Sequence, residues 1–124
     1  MQHESLISFL NGKRSAEDLW GEIEPEVNDC SATRTKSRAG AVIITAGPLT
    51  SISSDHVAVL IAALSTARLP MTAASYIADA LIMSDDFEWD DGGVADAIFR
   101  LSDESAPLTQ GDLEWARNRS ATGV

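Results

Sequence analysis

The sequence predicts an all-α or mainly α fold: a single-domain bundle of about five or six short helices, with at most one short β-strand near 41–45. Three observations lead there. Apolar residues recur at spacings of three and four along most of the chain, the signature of helices with one buried face. Glycine, proline and Ser/Thr-plus-acid pairs divide those stripes into segments of ordinary helix length. The chain has 124 residues, 44% of them hydrophobic and 23% charged, which suits one domain with one core.

Leu6, Ile7, Phe9 and Leu10 lie on one helical face, and Asn11-Gly12 behind them is a stop signal, so the first helix is short. Ser15, three residues before Asp18, opens a second helix as a capping residue, and Leu19, Trp20, Ile23 and Val27 carry its stripe. Pro25 falls inside that stripe. It removes an amide donor and crowds the carbonyl four residues back, so the second helix is expected to end or kink near Glu24. Ser31 to Gly40 holds Arg34, Lys36 and Arg38 and no large apolar side chain, which is the composition of a solvated basic loop.

Ala41 to Thr45 is a β-branched run closed by Gly47-Pro48, readable as a strand or as extended buried chain. Ser54 can then cap a helix through Val57, Leu60, Ile61, Leu64 and Ala67, ended by Leu69-Pro70. Thr72 is expected to cap the next, with Tyr76, Ile77, Ala80 and Leu81 on its buried face. The short Leu69-Pro70-Met71 connection implies that these two helices pack antiparallel as a hairpin. Gly92-Gly93 introduces a helix carrying Val94, Ala97, Ile98 and Leu101, and Thr109 with Asp112 opens the last one through Leu113 and Ala116. No repeat of fixed period is present, and the domain is expected to span 1–119 with a frayed tail at 120–124.

Charge is the functional signal. The formal net charge is −10, and from Asp79 to Glu114 there are eleven acids against a single base, Arg100. Such a surface repels nucleic acid and anionic membrane and attracts cationic partners over a Debye length of about 8–10 Å at physiological salt. Within it, Asp85-Asp86-Phe87-Glu88-Trp89-Asp90-Asp91 alternates acids with large aromatics. On extended chain Phe87 and Trp89 share one face and Glu88 takes the other. Asp85, Asp86, Glu88, Trp89, Asp90 and Asp91 are therefore the candidate partner-binding residues: carboxylates that steer a basic protein and a ring that anchors it. Trp20 and Trp115, beside apolar stripes, are expected in the core.

Catalytic and metal chemistry lack a signature. Asp86, Glu88 and Asp90 alternate like the first ligands of an EF-hand, but Asp91 stands where the loop needs glycine and Ala97 where it needs a bidentate Glu. One cysteine and two histidines are too few for a structural zinc site, and no phosphate-binding glycine loop occurs. Cys30 and His56 could serve as nucleophile and base only if the fold brought them together. No cofactor, no metal and no enzymatic activity are expected. A lone cysteine, the absence of a basic, apolar leader at Met1-Gln2-His3-Glu4, and an apolar stretch at His56–Leu69 too short to span a bilayer point to a cytoplasmic protein.

The stretches Arg68-Leu69-Pro70, Tyr76-Ile77-Ala78-Asp79-Ala80-Leu81, Phe87-Glu88-Trp89 and Ser105-Ala106-Pro107-Leu108-Thr109, within roughly the last 60 residues, resemble small acidic helical immunity proteins of bacterial polymorphic or contact-dependent toxin systems. The resemblance implies a cytoplasmic protein that blocks a basic toxin or nuclease domain by covering its surface. It carries over no individual residue. The alternatives are a nucleic-acid-mimicking inhibitor, whose carboxylates imitate phosphates, another acidic protein-interaction domain, and a small-molecule binder or enzyme with a cleft near Cys30, His56 or Tyr76.

Overall fold

The computed structural model describes residues 1–35, 44–103 and 107–122, without the side chains of 29–35 and 122. Six helices and two short strands follow one another as α1 (His3–Leu10), α2 (Ala16–Thr35), β1 (Thr50–Ile52), α3 (Ser54–Ser65), α4 (Met71–Met83), β2 (Phe87–Trp89), α5 (Gly92–Ser102) and α6 (Gln110–Thr122). The mainly helical bundle expected from the apolar spacing is what the chain forms.

Helix starts follow the side-chain chemistry of the sequence. Ser15 Oγ accepts from the Asp18 amide at 3.1 Å ahead of α2, and Thr109 and Asp112 exchange bonds ahead of α6, Asp112 N–H to Thr109 Oγ1 at 3.2 Å and Thr109 N–H to Asp112 Oδ2 at 2.9 Å. The cap of α3 is Ser53 rather than Ser54. Its hydroxyl accepts from His56 N–H, and His56 Nδ1 accepts from Ser53 N–H at 3.1 Å, a capping box with histidine in the usual place of Glu or Gln. The residue ahead of α4 is Pro70, not Thr72, and it makes no side-chain cap bond.

Helix ends differ more from expectation. α1 stops at Gly12, whose φ of +78° is the left-handed turn that the Asn-Gly pair announces. α2, however, runs through Pro25 to Thr35 instead of ending near Glu24, and so takes up the first residues of the segment expected to be a basic loop. Pro25 and Gly21, whose carbonyl loses its partner, are both exposed, so the break lies on the solvated side of the helix. Lys36, Arg38 and residues 41–43 lie outside the described residues. Ile44 and Thr45 are not strand, and the strands are Thr50–Ile52 and Phe87–Trp89.

β1 and β2 pair in parallel, Thr50 with Phe87, Ser51 with Glu88 and Ile52 with Trp89, and α3 and α4 form the crossover that parallel pairing requires. The two crossover helices barely touch each other. α4 packs along α5 and α3 along α6, while α5 and α6 form the largest helix contact, so the expected hairpin of α3 and α4 is replaced by a four-helix arrangement. The redirection happens at Ala67, which adopts φ of +59° and lets Arg68 N–H return to the Ala63 carbonyl at 2.9 Å, closing a Schellman turn.

The core gathers Leu6, Leu19, Ile23, Leu60, Leu64, Ile77, Leu81, Ile98, Leu101 and Leu113, and Trp20 packs against it. Trp115 does not, being 49% exposed. At 3.6 residues per turn it stands about 200° round α6 from Leu113, whose stripe continues through Ala116 and Ser120. α6 itself continues past residue 119 to Thr122, and Ser120, expected in a frayed tail, is buried.

Candidate functional site

The acidic segment is built on β2. Burial alternates along it as the pleat demands: Phe87 is buried, Glu88 is exposed and Trp89 is half-buried against the core. Phe87 is stacked on the imidazole of His3 at 4.7 Å with an interplanar angle of 12°, and His3 is itself 4% exposed. Gly47 covers the other part of that ring so closely that a Cβ there would stand 2.3 Å from His3 Cδ2. The strand is thus seated on an aromatic pair that only glycine can cover.

The six candidate residues separate into two sets. Asp86 and Asp91 hold the backbone. Asp86 Oδ2 accepts from Gly47 N–H at 3.1 Å and its carbonyl accepts from Thr50 N–H at 2.9 Å, while Asp91 caps α5 by accepting from Val94 N–H at 3.0 Å. Glu88 is exposed and takes the Ser51 hydroxyl across the sheet at 2.8 Å. Asp85 and Asp90 are exposed and make no ion pair among the described residues. Trp89 meets Phe99 of α5 edge to face, centroids 6.2 Å apart at 65°, and Phe99 is 49% exposed. Phe99 was missed in the sequence because it falls outside the buried stripe of its helix, and only the fold brings it to Trp89.

Four arginines form ion pairs with acids outside this segment. Arg14 pairs with Glu22 at 2.7 Å, Arg68 with Glu17 at 3.0 Å, Arg100 with Asp112 at 2.9 Å and Arg119 with Asp96 at 2.9 Å. The Asp112 carboxyl is held below the ordinary range chiefly by the Thr109 amide, then by the Thr109 hydroxyl and Arg100. None of these four ion pairs involves Asp85, Glu88 or Asp90.

The alternative chemistries find less support in the geometry. Both ring nitrogens of His56 are occupied: Nδ1 accepts from Ser53 N–H, which leaves Nε2–H to donate to Asn11 Oδ1 at 2.8 Å. The Cys30 side chain lies outside the described residues. Tyr76 is buried and its hydroxyl donates to Glu26 Oε1 at 2.8 Å. Among the described residues no group of three His, Cys, Asp or Glu could hold a metal ion, and the would-be calcium ligands Asp86 and Glu88 turn to different protein donors. Among those residues, too, no helix is long and apolar enough to cross a membrane. No family model, curated protein or solved structure matches this chain.

Proposed function

We propose that this protein binds and neutralises a basic protein, as an immunity-type inhibitor of a cognate bacterial toxin acting in the cytoplasm, and that it does so without catalysis. The observation that carries this reading is the pairing of half-buried Trp89 with exposed Phe99 beside Asp85, Glu88 and Asp90, none of which enters an ion pair among the described residues, in a chain of net charge −10. Carboxylates free of internal cations act at a distance and raise the rate of encounter, and an aromatic pair supplies area that can be desolvated on contact. Asp86 and Asp91 serve this surface indirectly, by fixing the loop before β1 and the start of α5.

The test uses wild type and the double variant Asp85→Lys, Asp90→Lys as baits in host lysate, followed by titration of the purified captured protein against both. A basic protein whose own activity is lost at equimolar wild type, and retained with the variant, supports the reading. Equal inhibition by the variant, or a captured partner that is acidic, overturns it. A nucleic-acid-binding effector released by duplex DNA would favour phosphate mimicry instead.

A further inference from the structure

A second surface departs from the acidity of the rest. A cleft of about 430 Å³ opens between the α1–α2 turn and the C-terminal half of α3, within the roughly 300–1,000 Å³ typical of small-ligand sites. Its lining includes Lys13, Arg14 and Arg68 and not one carboxylate, although the chain carries 19 acids against nine bases. Phe9 and Ala63, both buried, form its floor with half-buried Val59, and exposed Lys13 and Arg68 stand at its rim.

The rim is held in place by the fold. Gly12 in its left-handed turn sets Lys13 and Arg14 at the mouth, and the Schellman turn at Ala67 delivers Arg68 from the opposite side. Arg68 gives Nε and Nη2 to Glu17 at 3.0 and 3.2 Å, and Arg14 gives Nη2 to Glu22 at 2.7 Å. A guanidinium has five N–H donors, so Arg68 keeps three after this bidentate pair, while its plane is fixed by the carboxylate. The Lys13 ammonium has no ion-pair partner among the described residues and supplies the net positive charge. The start of α2 at Ala16 adds its dipole to the wall, offset by Glu17 and Asp18 in the same turn.

We infer that this cleft binds a small organic anion, a carboxylate or phosphate group on an apolar body, with the head between Lys13 and Arg68 and the body on Phe9, Val59 and Ala63. The cleft and the acidic segment lie at opposite ends of α3, so the two sites are separable by mutation.

The experiment is a ¹H–¹⁵N NMR titration of the full chain with phenyl phosphate and benzoate, and with inorganic phosphate and benzyl alcohol as the head and the body alone. At least one of the first two is expected to shift the amides of Gly12 to Ala16 and Ala62 to Arg68 saturably at millimolar concentration, at least tenfold tighter than inorganic phosphate or benzyl alcohol. Lys13→Gln with Arg68→Gln is expected to weaken it at least tenfold. Ala62→Phe, at an exposed helical position on the cleft, should weaken it as well while keeping the amide spectrum of a folded chain. Absence of saturable shifts, equal binding of inorganic phosphate, or unchanged affinity in both variants would overturn the inference.

Discussion

Gly93, in the first turn of α5, lies against the backbone of Arg119 near the end of α6: a Cβ built on Gly93 would stand 2.4 Å from the Arg119 carbonyl oxygen. This close approach is what allows the two helices to form the largest helix contact in the protein and buries Ser120 beside it. Alanine would gain up to about 1 kcal/mol of helix propensity, but a backbone contact that short cannot be relieved by a side-chain rotation. Gly93→Ala is therefore expected to lower unfolding free energy by about 2 kcal/mol, within the usual range for overpacking. Gly92→Ala, with open space around its Cβ, should be neutral or gain about 0.5 kcal/mol. Urea denaturation of both variants checks the contrast.

Ala67 holds a left-handed conformation with φ of +59°, at the position of a Schellman turn where glycine is the usual residue. The strain for a residue with a Cβ is about 1–2 kcal/mol, and glycine gives back about 0.4–1 kcal/mol through the entropy of its unfolded chain. Ala67→Gly should stabilise the fold by roughly 0.5–1 kcal/mol, seen as a higher urea midpoint at unchanged slope.

Asp91 combines a cap with a charge. Asp91→Ala removes the acceptor for Val94 N–H and should cost about 1 kcal/mol, whereas Asp91→Asn keeps the cap and removes only the charge. Thermal melts of the two separate helix capping from electrostatics, and the same pair of variants in a binding assay shows which of the two the partner senses.

Glu17 is drawn down to about 2 from its ordinary 4.5, first by its hydrogen bonds from Arg68. A carboxyl whose folded pKa is depressed adds stability that is complete above the unfolded value and disappears as pH falls through the folded one. The Glu17–Arg68 pair should therefore stop contributing between about pH 4.5 and pH 2. Both side chains are more than half exposed, so the effect is small and screened by salt. Glu17→Gln is expected to flatten stability against pH in that window and to leave the slope above pH 5 unchanged, as measured by denaturation at a series of pH values.

What the sequence made legible was encoded within a few residues. The caps at Ser15 and Thr109–Asp112, the Asn11-Gly12 stop and the aromatic alternation at Phe87 and Trp89 each depend on neighbours no more than four positions away, and each appears where the spacing placed it. The pairing of Thr50–Ile52 with Phe87–Trp89 depends on a crossover of two helices and has no local sign in Thr-Ser-Ile. Pro25 misled because a proline on a solvated face costs a helix less than one whose carbonyl partner is buried. Of the acidic segment, the composition was legible and the division of labour was not: only the fold assigns Asp86 to Gly47 and Asp91 to Val94 while leaving Asp85 and Asp90 to solvent. The cationic cleft was hidden altogether, because Arg68 and Glu17 are 51 positions apart.

In the proposed function, Asp85, Glu88 and Asp90 steer a cationic partner onto Trp89 and Phe99. The most direct measurement is the association rate constant with the purified partner, by stopped flow, from low to high salt, for wild type and for the Asp85→Lys, Asp90→Lys variant. A steered encounter should slow at least tenfold between about 0.01 M and 1 M salt, as the Debye length shrinks from about 30 Å to 3 Å, and the variant should lose most of that dependence. A wild-type rate indifferent to salt, or a variant with the same rate and the same salt slope, would show that these carboxylates do not steer the encounter.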